Sequence, residues 1–408
     1  MTQNIESKRP SILDNLLVKL IIAIAIGILV GSFANTGLIG VISTIKSILS
    51  NFISYIVPLI ILGFITPAIV SLNKQAGKVL AVTLIICYLS SVGAALMAFL
   101  AGKAIIPNMN IVSATANAKE LPEVLFQMDI PPIMPVMTAL ITSILFGLAV
   151  VWTDSDKWAD LLKQLNNMIL FIVEKVVIKI LPLYIATTFA ELAYEGAILQ
   201  QFPVFLKIIV LVILGHFIWL TLLYSIGGAL SKTNPMEVVK HYPPAYMTAV
   251  GTMSSAATLS VALKSAAKAK TLDPKIRDFV VSLCSNTHLC GSVLTETFFV
   301  MAVSQILYGK LPSTGQMILF IILLGIFAIG APGVPGGTVM ASLGLIISVL
   351  GFDGTGTALM LSIFALQDSF GTACNITGDG AIALMVTGIL KKVPGKNGNP
   401  IYIPEEDL

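Results

Sequence analysis

The chain has 408 residues, of which 56% are hydrophobic and only 11% charged, and its mean hydropathy is +0.93. Soluble domains carry about 25% charged residues, so this composition excludes an ordinary water-soluble globule and points to lipid as the solvent. A net charge of +3 offers no basic field for nucleic acid.

The polar start MTQNIESKRPSILDN leads into an apolar run without a small-residue cleavage site, so the first helix is expected to stay as an anchor. A spanning helix needs about 20 apolar residues, and candidates lie at 17–35, 44–71, 78–101, 135–152, 166–195 and 204–230. Ser90 and Ser91 fall inside the third of these, where serine commonly bonds back to its own helix. The stretch 103–131 is polar and reads as an exposed loop. Glu174, Lys175, Glu191 and Glu195 on the fifth candidate mark its length, an interface or subunit contacts. His216 and His241 read as structural, and Cys87, Cys284, Cys290 and Cys374 as small apolar core residues.

Beyond residue 240 the apolar runs break. Gly251-Thr252-Met253-Ser254-Ser255-Ala256-Ala257-Thr258 interrupts one, and Gly330-Ala331-Pro332-Gly333-Val334-Pro335-Gly336-Gly337-Thr338 another. Prolines remove helix donors and glycines favour other backbone angles. Lipid cannot satisfy the freed backbone, so such segments face protein or a water-filled cavity. Two of them in the second half predict re-entrant helical hairpins and a binding site for a transported solute.

Between the hairpins, residues 279–307 place Asn286, His288, Ser292 and Glu296 at mid-membrane depth. On a continuous helix His288, Ser292 and Glu296 share a face. That reads as a proton relay, or more plainly as a hydrogen-bonded core histidine. The last segment carries Asp368, Thr372, Asn375 and Asp379, spaced four, three and four residues apart. At about 100° per residue all four share one face. Two carboxylates there need a cation, a substrate or a polar network.

No HExxH, GxSxG or Walker-type GxxxxGK occurs. The two aspartates lie eleven residues apart on one predicted helix, about 16 Å, which excludes a proton-sharing protease dyad. The basic residues Lys8, Arg9, Lys19, Lys74, Lys78, Lys264, Lys268, Lys270, Lys275, Arg277, Lys391, Lys392 and Lys396 fall on one side if eight spans and two hairpins are assumed. Both termini are then expected in the cytoplasm.

These motifs resemble the dicarboxylate/amino acid:cation symporters, the glutamate transporter superfamily. MSSAATLSV (253–261) is similar to the usual RSSSGTLPV, GAPGVPGGT (330–338) to GTAGVPGAG, and DSFGTACNITGD (368–379) to DxxRTxxNVxGD. HLCG (288–291) departs from NMDG, and LQDS (366–369) resembles the serine/threonine branch.

The resemblance implies an all-α integral membrane protein of the elevator type, with eight transmembrane helices and two re-entrant hairpins. It would be a homotrimer in a bacterial inner (plasma) membrane, in contact with lipid, with no organic cofactor and no enzyme activity. Residues 1–77 and 104–200 would form the scaffold, 78–103 and 201–392 the mobile domain, and 393–408 a cytoplasmic tail. Substrate would meet Ser254, Ser255, Ser292, Val334, Pro335, Gly336, Thr338, Asp368, Gly371, Thr372 and Asn375. Sodium would meet Asn375, Asp379, Ser90, Ser91, Asn286 and His288, with Glu296 and His288 available for protons. The coupling ion is Na+, H+ or both.

Gly371 and Met253 stand where the family's acidic-substrate members keep an arginine. The implied substrate is a small neutral amino acid. An acidic amino acid or dicarboxylate, or a passive channel on the same fold, are the alternatives.

Overall fold

Helix satisfies its own backbone, and a chain this apolar adopts little else. In the structure, a computed structural model, residues 16–74, 78–109, 111, 119–196 and 198–391 are described. The polar start before Leu16, part of the 103–131 loop and the 393–408 tail lie outside them.

The first half comprises α1 (Leu16–Phe33), α2 (Thr36–Lys74) and α3 (Lys78–Ile105), which ends in a 3-10 turn at Ile106–Met109. After a non-helical stretch come α4 (Val136–Trp152) and α5 (Asp156–Ile172). A π-helical turn at Val173–Val177 carries α5 into α6 (Ile178–Tyr194). The second half comprises α7 (Ile198–Ser231), the short α8 (Met236–Val239), α9 (Pro243–Thr252), α10 (Ser255–Ala266), α11 (Pro274–Thr287), α12 (Cys290–Tyr308), α13 (Thr314–Gly330), α14 (Gly337–Ser348) and α15 (Gly354–Lys391).

Five described helical segments are long and apolar enough to cross a membrane: Thr36–Val70, Lys78–Met109, Pro203–Ser231, Pro274–Tyr308 and Gly354–Leu390. In the last two, 94% of the most apolar window is buried inside the protein, against 33% for Pro203–Ser231. The polar-rich segments therefore form the centre, and α7 faces outward.

Helices α1, α2, α4, α5 and α6 pack mainly on one another, whereas α3 and α7–α15 gather around α12 and α15. Small residues allow the closest approaches. A Cβ on Gly27 would sit 2.4 Å from the Ala186 carbonyl oxygen, and one on Gly31 2.0 Å from that of Ala190. This GxxxG pair seats α1 against α6.

Two differences from the sequence reading concern breaks. The fifth candidate begins at Asp156 rather than 166, because a polar amphipathic turn precedes its apolar part. Residues 279–307 are not one helix: α11 ends at Thr287, and His288 (φ −115°, ψ 94°) and Leu289 are non-helical.

Candidate functional site

Both hairpin tips meet beside the polar face of α15. In the first, Met253 adopts a left-handed conformation (φ 54°) and ends α9. Ser254 then starts α10, its Oγ accepting from the Ala257 N–H at 3.2 Å. In the second, α13 stops at Gly330 and α14 begins after Gly336, whose φ is +70°. A Cβ on Gly337 would lie 2.1 Å from the Pro332 oxygen, so only glycine permits this fold-back.

The tips bond directly. Ser254 Oγ donates to the Gly333 carbonyl at 2.6 Å, and the Ala256 N–H approaches the same oxygen at 3.3 Å. Ser255 is buried at the first tip, while Val334 and Pro335 are half-buried at the second. The Val334 carbonyl accepts from Gly337 N at 2.9 Å. Thr338 is buried in the first turn of α14, and its carbonyl accepts from Ser342 Oγ. Asn286 Oδ1 lies about 3.0 Å from where a Gly333 Cβ would be, which puts Asn286 beside the second tip.

Asp368, Thr372, Asn375 and Asp379 are all buried, at 4%, 4%, 2% and 0% exposure, as their common face requires. Asp368 Oδ2 accepts from the Gly336 N–H at 2.7 Å, so the carboxylate is tied to the second tip. Asn375 Oδ1 accepts from the backbone N–H groups of Gly291 (2.7 Å) and Ser292 (3.2 Å). Its Nδ2 donates to Ser292 Oγ at 2.9 Å. Those N–H groups are the orphan donors of the α12 N-terminus, so Asn375 caps the helix that the break creates. Gly371 faces the same turn: a Cβ there would sit 3.4 Å from Ser292, in ordinary contact.

His288 sits at that break. Its Nδ1 lies 3.0 Å from Asp379 Oδ1 and its Nε2 2.9 Å from Ser90 Oγ of α3. A carboxylate only accepts, so Nδ1–H donates. Ser91 Oγ and Asp379 Oδ2 are buried without a partner among the described residues. Glu296, fully buried on α12, accepts from Ser342 of α14. His288 and Glu296 thus bond to different partners, because the break removes the helical register that would have aligned them.

The oxygen donors expected to hold sodium are partly committed elsewhere: Asn375 to backbone amides, and one Asp379 oxygen to the imidazole. His216, read as structural, meets the Gly291 carbonyl (3.0 Å) and Thr295 Oγ1 (2.9 Å) with its Nε2. One feature escaped the sequence reading. Lys46 of α2 forms a buried ion pair with Glu191 of α6 and donates to Thr355 Oγ1 of α15 at 3.2 Å. A lysine inside the apolar run 44–71 was its available signal.

Compared with known proteins, residues 16–389 match the sodium:dicarboxylate symporter family. The excitatory amino acid transporter 2 of Mus musculus is 27% identical over 58% of this chain and 41% of its own length. The excitatory amino acid transporter 1 of Ambystoma tigrinum is 26% identical over 59% of this chain and 44% of its own. The chain therefore spans less than half the length of these relatives.

Proposed function

The chain belongs to the sodium:dicarboxylate symporter family, and from that premise we propose that it is a sodium-coupled symporter of a small neutral amino acid, serine or threonine in kind. The observation that carries the reading is the Asp368 carboxylate, buried on α15 and held by the backbone of the second hairpin tip. A substrate α-ammonium is the natural replacement for the Gly336 N–H. It would make a charge-assisted bond to Asp368 as the tip moves aside. The substrate carboxylate would meet the start of α10 near Ser254 and Ser255, where the helix dipole favours an anion and the Ala256 N–H, now on the Gly333 carbonyl, would be released as the tip moves aside. Thr372, Asn375 and Ser292 complete the polar wall, and the α13–α14 tip serves as the gate.

A neutral side chain follows from what the site lacks. The sequence holds two arginines, Arg9 and Arg277, and Arg277 is paired with Asp278 at the start of α11. Gly371 offers space and no charge. An acidic side chain buried without a guanidinium would cost several kcal/mol.

The packing supports a division into a scaffold (α1, α2, α4, α5, α6) and a mobile body (α3, α7–α15). Eight spans, two hairpins, a trimer held by the scaffold and cytoplasmic termini complete the proposal. Glu296 is the site through which a proton would join the cycle.

Calorimetric titration of the purified protein in sodium buffer tests the substrate class. Serine or threonine should bind and aspartate should not; tight aspartate binding with no competition from serine would refute the neutral reading.

A further inference from the structure

The imidazole of His288 lies where α3, the α11–α12 break and α15 converge, and it bridges oxygens that could otherwise face a shared ion. Ser90 Oγ and Asp379 Oδ1 contact opposite nitrogens of the ring, at 2.9 Å and 3.0 Å. The two nitrogens point in divergent directions, so the two oxygens are held apart by the ring's full width. His288 and Asp379 are 0% exposed and Ser90 6%, so bulk water does not reach between them.

Sulfur stands close to the ring, and Asp379 Oδ2 is buried beside it without a partner among the described residues. A Cβ on Gly378 would sit 2.9 Å from the ring's Cε1 and 3.3 Å from Cys290 Sγ, so ring and thiol both press on that glycine. Cys87 and Cys284 stand sulfur to sulfur at 3.5 Å, bridging α3 and α11. Hard cations prefer oxygen, whereas thiols suit soft metals. Among the described residues, the His288 ring is the one group that hydrogen-bonds the Asp379 carboxylate. A buried carboxylate needs a donor or a charge opposite it, and here a ring N–H donates to it from within the chain.

We propose that the His288 ring takes the place of a bound alkali cation between α3 and α15, so that no sodium ion binds between Ser90 and Asp379 in this chain. The inference deepens the reading of the protein as a cation-coupled symporter. It predicts a smaller sodium complement than the same fold would hold with a short oxygen-bearing side chain at position 288. Sodium coupling in this chain then runs through oxygens elsewhere in the site.

The test is equilibrium binding of radiolabelled sodium to the purified full-length protein, compared with His288→Asn and Ser90→Ala. Removing the ring should open the space and free both oxygens, so His288→Asn should bind one more sodium per chain than the parent. Adding Ser90→Ala to His288→Asn should weaken that extra site about tenfold. Ser90→Ala alone should leave the parent's sodium affinity within about twofold.

The proposal is overturned if folded His288→Asn binds no additional sodium, or if Ser90→Ala alone weakens sodium binding severalfold. The second arm decides the matter should His288→Asn prove unstable. Sodium binding requires no knowledge of the substrate. A failed amino-acid titration beside the predicted sodium behaviour would therefore fault the substrate reading and not this one.

Discussion

Asp368 and Gly371 sit one turn apart on α15, and in the proposed site they would divide the recognition of a substrate between them. Asp368→Asn keeps an oxygen for the Gly336 N–H but loses the charge that would hold an ammonium. Charge-assisted bonds contribute about 1.5–3 kcal/mol, so substrate affinity should fall roughly 10- to 100-fold, read by calorimetry. Gly371→Arg places a guanidinium opposite the start of α12, where a Cβ meets only ordinary contacts. Competition assays should then show aspartate displacing serine; unchanged preference would mean that position 371 does not set selectivity. The Asp368–Asp379 face was legible in the sequence, because helical spacing alone aligns those residues. The partner of His288 was not: nothing at His288-Leu289 is a proline or glycine, so the α11–α12 break left no local signature, and the relay drawn from His288 to Glu296 assumed a continuous helix.

Helix α2 is fastened to α6 by charge as well as by packing. The Lys46–Glu191 pair has side chains 9% and 6% exposed. Lys46→Met should strand Glu191 in a buried site and destabilise the protein by about 3–5 kcal/mol. Replacing both residues with apolar ones should restore most of that loss. Thermal unfolding in detergent of the single and double variants measures both effects, and a single variant as stable as the parent would show that the pair contributes nothing. At this scale the apolar helices were readable from length and hydropathy, the first hairpin break from a cluster of small residues and the second from its Pro-Gly run. The beginning of α5 was missed because its amphipathic turn carries too much charge to count toward a span.

At the scale of the whole molecule, the two helix groups touch at several places, among them where α14 lies against α2 and α4. A Cβ on Gly344 would sit 2.2 Å from a Val136 methyl carbon, so the bodies are in close register there. If the hairpin body slides past the scaffold during transport, tying them together must stop it. The pair Val136→Cys with Gly344→Cys, bridged by a thiol cross-linker, should lose uptake and regain it when the linker is cleaved by reductant. Undiminished uptake in the cross-linked protein would show that these two helices do not move apart.

The most direct test of a sodium-coupled neutral amino acid symporter is accumulation of labelled serine in liposomes that contain the purified protein. An inward sodium gradient should drive serine above its equilibrium concentration, with threonine competing and aspartate inert. Equilibration without accumulation, or sodium-driven uptake of aspartate that serine does not inhibit, would contradict the account.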